Sequence, residues 1–394
     1  MEEKRFDVVV IGGGASGLAA AIDLKLKSPG TSVAIIEKND SLGRKIRATG
    51  NGRCNITNTH ADGYNTIMEF FRKIGIVTRT HENGLVYPYS ESAADVVELL
   101  IDRASELGVE AFLETTVYRV SKDETFTVWG KRKEGAEFLD IPFVAKNVVL
   151  ALGGKAGAVY GTTGDGYAIA RDFGHTIVTP IPVLTSVECM NWDESLAGVR
   201  AQGKVSLYKD PTEEFSESSK IFEENGEIQF TKYGLSGICI FNMSRHMRFN
   251  KAGGENLEQF MIELDLFSDG DIQAFIADRE NEHLFNDNNI LRTILKSELA
   301  DYVVRMGVDS IHKLRFRPSV VRGWQDAQAT SGGVSLDEVD IVTCESNKCR
   351  GLYITGELLN YDGPCGGYNL SNAWFTGLKA SKAIYAKMLG NETL

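Results

Sequence analysis

The stretch Phe6-Asp7-Val8-Val9-Val10-Ile11-Gly12-Gly13-Gly14-Ala15-Ser16-Gly17 runs from an apolar strand pattern into a glycine turn. Val8 to Ile11 form an unbroken apolar run, as a parallel strand buried on both faces requires. The turn has the spacing Gly-x-Gly-x-x-Gly, and Ala19-Ala20-Ala21-Ile22-Asp23-Leu24 continues it as a helix. Gly12 permits the tight turn, Gly14 lets backbone approach a pyrophosphate, and Gly17 lets the helix pack close to the strand. The N–H groups of the new helix, with their partial positive charge, then face the phosphates.

Glycine turns of this kind are common, so the context carries the reading. A second strand pattern, Ser32-Val33-Ala34-Ile35-Ile36, follows and ends in Glu37, twenty residues after Gly17. An acid there accepts hydrogen bonds from a ribose hydroxyl and disfavours a 2′-phosphate. The start of the chain is therefore expected to be a βαβ unit that binds a dinucleotide.

The 394 residues suffice for two or three domains. A composition of 43% apolar and 24% charged residues is that of an ordinary globular protein. A net charge of −12 argues against non-specific nucleic-acid binding, because phosphates must be met by Lys and Arg. Met1-Glu2-Glu3-Lys4-Arg5 enters the first strand without an apolar leader, and no run of about 18 apolar residues occurs. No nucleic-acid or membrane partner is expected. The scattered cysteines (Cys54, Cys189, Cys239, Cys344, Cys349, Cys365) fit reduced thiols in the cytoplasm. Cys344 and Cys349 have no second pair and no nearby histidine, so no metal site is expected.

Residues 39–58, Asn-Asp-Ser-Leu-Gly-Arg-Lys-Ile-Arg-Ala-Thr-Gly-Asn-Gly-Arg-Cys-Asn-Ile-Thr-Asn, read as a long loop rich in glycine, asparagine and cations. Long loops inside compact domains are usually functional. Arg44, Lys45, Arg47 and Arg53 form either a solvated basic face or a clamp on a pyrophosphate and flavin; glycines beside arginines favour the clamp. Residues 62–83 look helical. Ser92 to Gly108 reads as an amphipathic helix stopped by its glycine. Val109–Val120, Glu124–Lys131 and Phe138–Val144 read as a β-meander. Asn147 to Leu152 is a buried strand ending in Gly153-Gly154, where a ligand can lie on bare backbone. Gly161-Thr162-Thr163-Gly164-Asp165-Gly166 then opens a helix from Tyr167 to Phe173.

From Thr179 the pattern changes. Short β-like runs (Gly203–Tyr208, Gly226–Phe230, Gly237–Phe241) are followed by a helical stretch comprising Leu257–Leu264, Asp271–Asp278 and Asn289–Met306. The strand Leu352-Tyr353-Ile354-Thr355 returns to the core and runs into Gly356-Glu357. Tyr361-Asp362-Gly363-Pro364-Cys365-Gly366-Gly367-Tyr368-Asn369 precedes a helix from Ser371 to Met388. This second strand–glycine loop–helix unit can face the pyrimidine edge of a flavin, where reduction develops negative charge. No second Gly-x-Gly-x-x-Gly follows a strand, so no dedicated NAD(P) domain is expected.

These segments together resemble the BaiN-like NAD(P)/FAD-dependent oxidoreductases within the glutathione-reductase-type FAD-binding superfamily. The resemblance is nearly full length. It rests on the motifs at 12–17, 43–58, 151–157, 161–175, 331–334 and 356–374, and the pair GRCNITN (52–58) and GGYN (366–369) is its most specific part. It implies an α/β fold: a Rossmann-like FAD-binding domain of the two-dinucleotide type at 1–187 and 335–394. A β-barrel-like insertion at 188–254 and 314–334 and a helical subdomain at 255–313 complete it. It also implies FAD contacts at Gly12, Gly14, Ala15, Ser16, Gly17, Glu37, Lys38, Arg44 and Lys45. Gly52, Arg53 and Cys54 would lie near the isoalloxazine. Val117 would offer backbone to the adenine, and Ala151, Gly153 and Gly154 would run along the dinucleotide. Gly356, Glu357, Asp362, Gly366, Gly367, Tyr368 and Asn369 would hold the ribityl chain and ring.

The implied activity is reduction of an activated C=C bond of a small cyclic, steroid-like or other enone substrate, with NAD(P)H as the transient hydride donor. The alternative is an FAD oxidase of a small, aminoacetone-like amine that makes hydrogen peroxide; an RNA-modifying or non-catalytic flavin-binding protein is the third reading. No catalytic residue stands out from spacing. Tyr87, Tyr160, Tyr167 and Tyr361 are candidate proton donors, with Arg53 as an electrostatic partner. A monomer or a homodimer is expected.

Overall fold

The structure, a computed structural model, describes residues 3–134, 137–209, 217–247, 257–267 and 291–390. It divides into two compact units, Met1–Pro180 with Ala329–Leu394, and Ile181–Gln328. The expected boundaries at 187 and 335 lie a few residues further along the chain than these.

In chain order the first unit runs β1 (Lys4–Ile11), α1 (Ala15–Lys27), β2 (Val33–Ile36), β3 (Thr57–Asn58), α2 (Tyr64–Lys73), β4 (Thr78–Thr80) and β5 (Leu85–Pro88). It continues through α3 (Ala93–Glu106), β6 (Glu110–Phe112), β7 (Thr115–Lys122), β8 (Phe126–Glu134), β9 (Glu137–Leu150) and α4 (Gly166–Asp172). The later segment adds strands Ala329–Val334 and Leu352–Ile354 and the helix Tyr368–Met388.

The central sheet is parallel, in the order β6-β2-β1-β9-(352–354). β9 joins the parallel and antiparallel parts of one seven-stranded sheet. Its end at 147–150 lies between β1 and strand 352–354, while its start pairs antiparallel with β8, which pairs with β7. The meander is therefore an extension of the parallel sheet through one long strand. Val8 and Val10 of β1 face one apolar core, with α1, α2, α3 and the Tyr368–Met388 helix. Val9 and Ile11 face the other, with β7, β8 and α4. Burial on both faces explains why this strand reads as a continuous apolar run.

α3 opens on Ser92, whose Oγ accepts from the Asp95 N–H at 3.3 Å, as the sequence signals there require. The helix expected across 62–83 stops at Lys73; Gly75, at φ +91°, turns the chain and β4 follows. Trp374 is fully buried, stands edge-on to Phe71 with ring centroids 5.2 Å apart, and donates Nε1–H to the Ile56 carbonyl at 3.1 Å.

The second unit is a seven-stranded antiparallel sheet in the order 314–316, 260–265, 200–209, 220–230, 234–236, 187–189, 318–321. Its two edge strands are consecutive in the chain, separated by Arg317 alone, so the sheet curls until its edges are neighbours. Val205, Leu207, Ile228, Phe230, Phe260, Ile262 and Leu264 fill its inside, and Leu299, Ala300 and Val303 of helix Ser297–Met306 pack on them.

Two expected elements are corrected here. Leu257–Leu264 was read as helix, yet Phe260–Asp265 is a strand paired on both sides. Phe260, Ile262 and Leu264 alternate into the core with a period of two. The 255–313 stretch is therefore not wholly helical. Gly237–Phe241 was read as strand, yet a helix covers Ile238–Ser244. Gly237, at φ +111°, breaks the strand, and a Cβ there would lie 2.4 Å from the Glu227 carbonyl oxygen. The Asp271–Asp278 helix lies outside the described residues, as does the start of Asn289–Met306, of which Ser297–Met306 is helical.

α1 and the Tyr368–Met388 helix touch backbone to backbone. A Cβ on Gly377 would sit 2.3 Å from the Ser16 carbonyl oxygen. Intrinsic propensity gives Ala an advantage of about 1 kcal/mol over Gly inside a helix. Overpacking costs about 1–3 kcal/mol, and the neighbour here is backbone that cannot turn aside. Gly377→Ala is therefore expected to lower the denaturant midpoint. A raised midpoint on chemical unfolding would show that the two helices can separate freely.

Candidate functional site

The first glycine turn does what its spacing demands. Gly12 stands at φ +106°, and a Cβ there would lie 2.4 Å from the Ala151 carbonyl oxygen at the end of β9. A Cβ on Gly17 would lie 2.0 Å from the Gly12 carbonyl. Gly14 differs: nothing lies within 4 Å of where its Cβ would be. α1 starts on Gly14 with no side-chain cap and no acidic residue in its first turn. The space beside Gly14 is open and no side chain caps the start of α1, as a bound phosphate requires.

Glu37 is buried at the end of β2. Its Oε2 accepts the Gly13 N–H at 2.8 Å, and its Oε1 accepts the Asn39 N–H at 2.9 Å and Asn39 Nδ2 at 2.6 Å. Asn39 Oδ1 in turn accepts from Arg44 Nη1 at 3.2 Å. The carboxylate that should face a ribose is locked to the turn that should hold the phosphates.

The other expected cations near the turn are held by the protein itself. Lys38 pairs with Asp165 and donates to Thr163 Oγ1 at 2.6 Å. Lys45 donates to the Ala156 carbonyl at 3.0 Å and to Glu357 Oε2 at 2.7 Å. Glu357 Oε1 accepts the Thr330 N–H at 2.8 Å, and Thr330 Oγ1 accepts from the N–H groups of Lys155 and Ala156 at 2.8 and 3.0 Å. This network stitches together the loops after β9, strand 352–354 and the Gly43–Gly52 segment. Glu357 and Lys45 therefore act as struts, and the backbone they fix is left for a ligand. Ala151 continues β9, its N–H donating to Ile11 at 2.8 Å. Gly153 turns the chain next, at φ +73°.

The second glycine loop is clasped by the 52–58 motif. Asn58 Nδ2 donates to the Gly366 carbonyl at 3.1 Å, and the Thr57 and Ser371 hydroxyls lie 2.7 Å apart. Gly367, at φ +96°, caps the last helix without a side chain, and a Cβ there would lie 2.9 Å from the Thr57 carbonyl. Asn369 binds both the N–H and the C=O of Gly363 at 2.8 Å, so it holds its own loop closed. Gly356 packs on the first turn, with a Cβ position 2.8 Å from Ser16 Oγ. GRCNITN and GGYN are thus one physical assembly. Asn55, Thr57 and Asn58 belong to it, although sequence reasoning stopped at Cys54. The run of short polar side chains after Cys54 was the signal that could have found them.

The remaining candidates fall into different places. Cys54 is wholly buried in the core, and burial pushes its thiol up to about 12 against a smaller effect of Thr49. It adopts φ +60°, so only its backbone can serve a ligand. Arg53 is half exposed; its Nε donates to the Gly50 carbonyl at 3.2 Å, and its guanidinium lies over the buried Tyr87 ring at 5.0 Å. The Tyr167 hydroxyl is buried with no hydrogen-bond partner, and burial, then the Glu357 charge, suppresses its ionisation. A proton donor must reach its acceptor, and Tyr167 does not reach a surface. Tyr160 is partly exposed, while Tyr361, Asp362 and Tyr368 are half-buried in the second loop. Val117 is buried where the β7–β8 register slips between Val117 and Arg119.

Two uncapped helix ends, an open Gly14 and an anchored ribose acid fit a dinucleotide such as FAD. Among the described residues no group of three His, Cys, Asp or Glu could hold a metal, and no helix is long and apolar enough to cross a membrane.

The HI0933-like protein Rossmann domain model matches residues 6–67 and 63–383. A 3-dehydro-bile acid delta(4,6)-reductase of Clostridium scindens is 32% identical over 415 residues, covering 95% of this chain and 98% of the relative. A ribosomal RNA dihydrouridine synthase of Escherichia coli is 26% identical over 425 residues, covering 97% and 99%. Among solved structures, the FrdA chain of E. coli quinol fumarate reductase superposes with a TM-score of 0.51 at 16% identity, over 99% of this chain and 71% of that one. The last likeness shows the fold alone, a mixed α/β architecture.

Two outcomes test the site. Gly14→Val adds a side chain where the protein has nothing within reach, at an extended backbone that tolerates it. The variant should keep the unfolding midpoint of the wild-type apoprotein and lose most FAD binding, read by flavin fluorescence titration; equal FAD affinity would remove Gly14 from the site. Iodoacetamide at pH 8 should leave Cys54 unlabelled in the folded protein, while the half-buried Cys349 and Cys365 label first, read by peptide mass spectrometry.

Proposed function

The chain belongs to the HI0933-like family, and on that premise we propose that this FAD-dependent oxidoreductase reduces a ring C=C bond conjugated to a carbonyl, using NAD(P)H. The observation that carries the reading is the 32% identity, across 95% of this chain and 98% of the relative, to a delta(4,6)-reductase of 3-dehydro-bile acids. The dihydrouridine synthases point to the same chemistry by another substrate, since dihydrouridine is uridine with its ring double bond saturated. In each, hydride addition to an electrophilic carbon of an alkene conjugated to a carbonyl, followed by protonation of the resulting enolate, would saturate the bond.

Bound FAD would supply hydride chemistry. The protein's own part is to bind and to orient. The start of α1 and the Glu37–Gly13 pair would hold the dinucleotide's phosphates and ribose. The uncapped helix end at Gly367 would favour negative charge on the ring. Tyr160 and Tyr361, and not the buried Tyr167, are the tyrosines open enough to give the proton.

We assign a small cyclic enone as the substrate. The activity is placed in the cytoplasm, in a monomer or homodimer with no nucleic-acid or membrane partner. The near full-length match to dihydrouridine synthases favours a second reading, a uridine in RNA; the net charge of −12 weighs against it.

The test is anaerobic. The purified protein should show flavin absorption, NADH or NADPH should bleach it, and a cyclic enone should restore the colour stoichiometrically. Recovery by a ribosomal RNA transcript and not by enones would establish the second reading. No bleaching by either nicotinamide, with peroxide formed from a small amine in air, would replace both by an amine oxidase.

A further inference from the structure

The three-stranded sheet β3-β5-β4 carries an exposed cluster in which two arginines and a histidine share one carboxylate. Glu91 pairs with Arg79, lies 3.8 Å from Arg53 Nη1, and lies 3.1 Å from His81 Nε2. Arg79 lies over the Tyr89 ring at 5.4 Å, and His81 stands edge-on to Tyr87, beneath Arg53, at 5.2 Å. The side chains of Arg53, Arg79 and His81 keep 49%, 43% and 38% of their surface open. Glu91 adopts φ +50°, a conformation uncommon for a residue other than glycine.

The cluster differs from the basic residues at the glycine turns. Lys38 and Lys45 each have a carboxylate of their own, and Arg44 lies 3.7 Å from Asp40. At Arg53 and Arg79 two permanent charges share one acid, and Glu82 makes no ion pair among the described residues. Exposed ion pairs of this kind are weak, so an incoming dianion displaces them readily. The place is also telling: β3 in the same sheet holds Gly366 and Gly367, the helix end assigned to the flavin ring.

We propose that Arg53 and Arg79 dock the diphosphate of the nicotinamide dinucleotide that reduces this enzyme. The inference rests on the reductase reading and locates its electron donor. That donor carries two adjacent phosphate charges. No second Gly-x-Gly-x-x-Gly follows a strand to meet them with backbone, so side chains must, and guanidinium forks match phosphate oxygens two at a time. Glu91 holds both arginines in place in the free enzyme and releases them to the ligand.

The experiment is stopped-flow reduction of the FAD-loaded protein by NADH and by NADPH without oxygen. In Arg79→Gln the half-saturating nicotinamide concentration should rise about five- to tenfold, the loss of one charge-assisted contact, with the effect in that constant and not in the limiting rate. Glu91→Gln should lower it and steepen its dependence on salt, a change of opposite sign that no folding defect imitates. FAD content per chain and the flavin spectrum check that each variant is folded. Half-saturation unchanged in both variants overturns the proposal, as does loss of RNA binding with nicotinamide kinetics intact. A wild-type protein bleached by dithionite but by neither nicotinamide overturns the reductase reading, and this inference with it.

Discussion

Ser16 is the point on which the first unit turns. Its carbonyl lies where a Cβ on Gly377 would be, and its hydroxyl lies against Gly356. One residue of the first glycine turn thus fixes both the strand end and the helix of the second glycine unit, more than 300 residues away. The contact exists because Gly377 lacks a side chain, although glycine inside a helix costs about 1 kcal/mol in propensity. The return is backbone contact between two helices that both open on glycine. Residues 55–58 complete the arrangement by bonding to the start of the second helix through Asn58, Thr57 and the Ile56 carbonyl.

This construction explains how a chain of net charge −12 can receive an anionic dinucleotide. The positive potential at the turns comes from uncapped helix ends, and the neighbouring lysines are matched by carboxylates. Backbone dipoles are fixed in direction and need no long side chain to be immobilised for binding. Lys45 and Glu357 then serve to hold loops in register. Their ion pair is partly buried, and its geometry is completed by Thr330 and Ala156. Surplus cationic charge is found elsewhere, on the Arg53–Arg79 face.

Much of this was legible in the sequence, for reasons that differ by element. β1 and its turn were legible because burial on both faces forces an apolar run, and because Gly12 and Gly17 occupy places where a Cβ would collide with backbone. The meander was legible in outline, but the run Val109–Val120 divides into β6, which pairs with β2, and β7, which pairs with β8. Glu37 was found by spacing, yet its bond to Gly13 was invisible, since no pattern records which N–H a carboxylate takes. Lys38, Lys45 and Glu357 brace loops far apart in the chain, contacts the sequence does not show because charge alone does not say which partner is nearest. The failures at Leu257–Leu264 and Gly237–Phe241 share a cause. A short apolar run fits either period, and cross-strand partners far along the chain decide between them. Gly237 could have warned of the break, because a strand rarely carries glycine at positive φ.

The choice between a cyclic enone and an RNA uridine comes down to where charge is placed. Both substrates present a double bond next to a carbonyl, so the flavin unit alone does not separate them. RNA additionally presents a phosphate every nucleotide, and recognition of that backbone needs several unpaired cations along one surface. In the second unit, strand 220–230 presents Glu223, Glu224 and Glu227, and Arg200, Lys204 and Lys220 on or beside it are paired with those acids. Arg315, Arg322 and Arg305 are likewise paired, with Glu263, Glu188 and Asp193. Cations that stand beside acids in this way offer little to a polyanion. The Arg53–Arg79 cluster, with two guanidiniums, is scaled to one diphosphate and not to a strand. That scale favours a small ring ketone as the substrate and a nicotinamide dinucleotide as the anion.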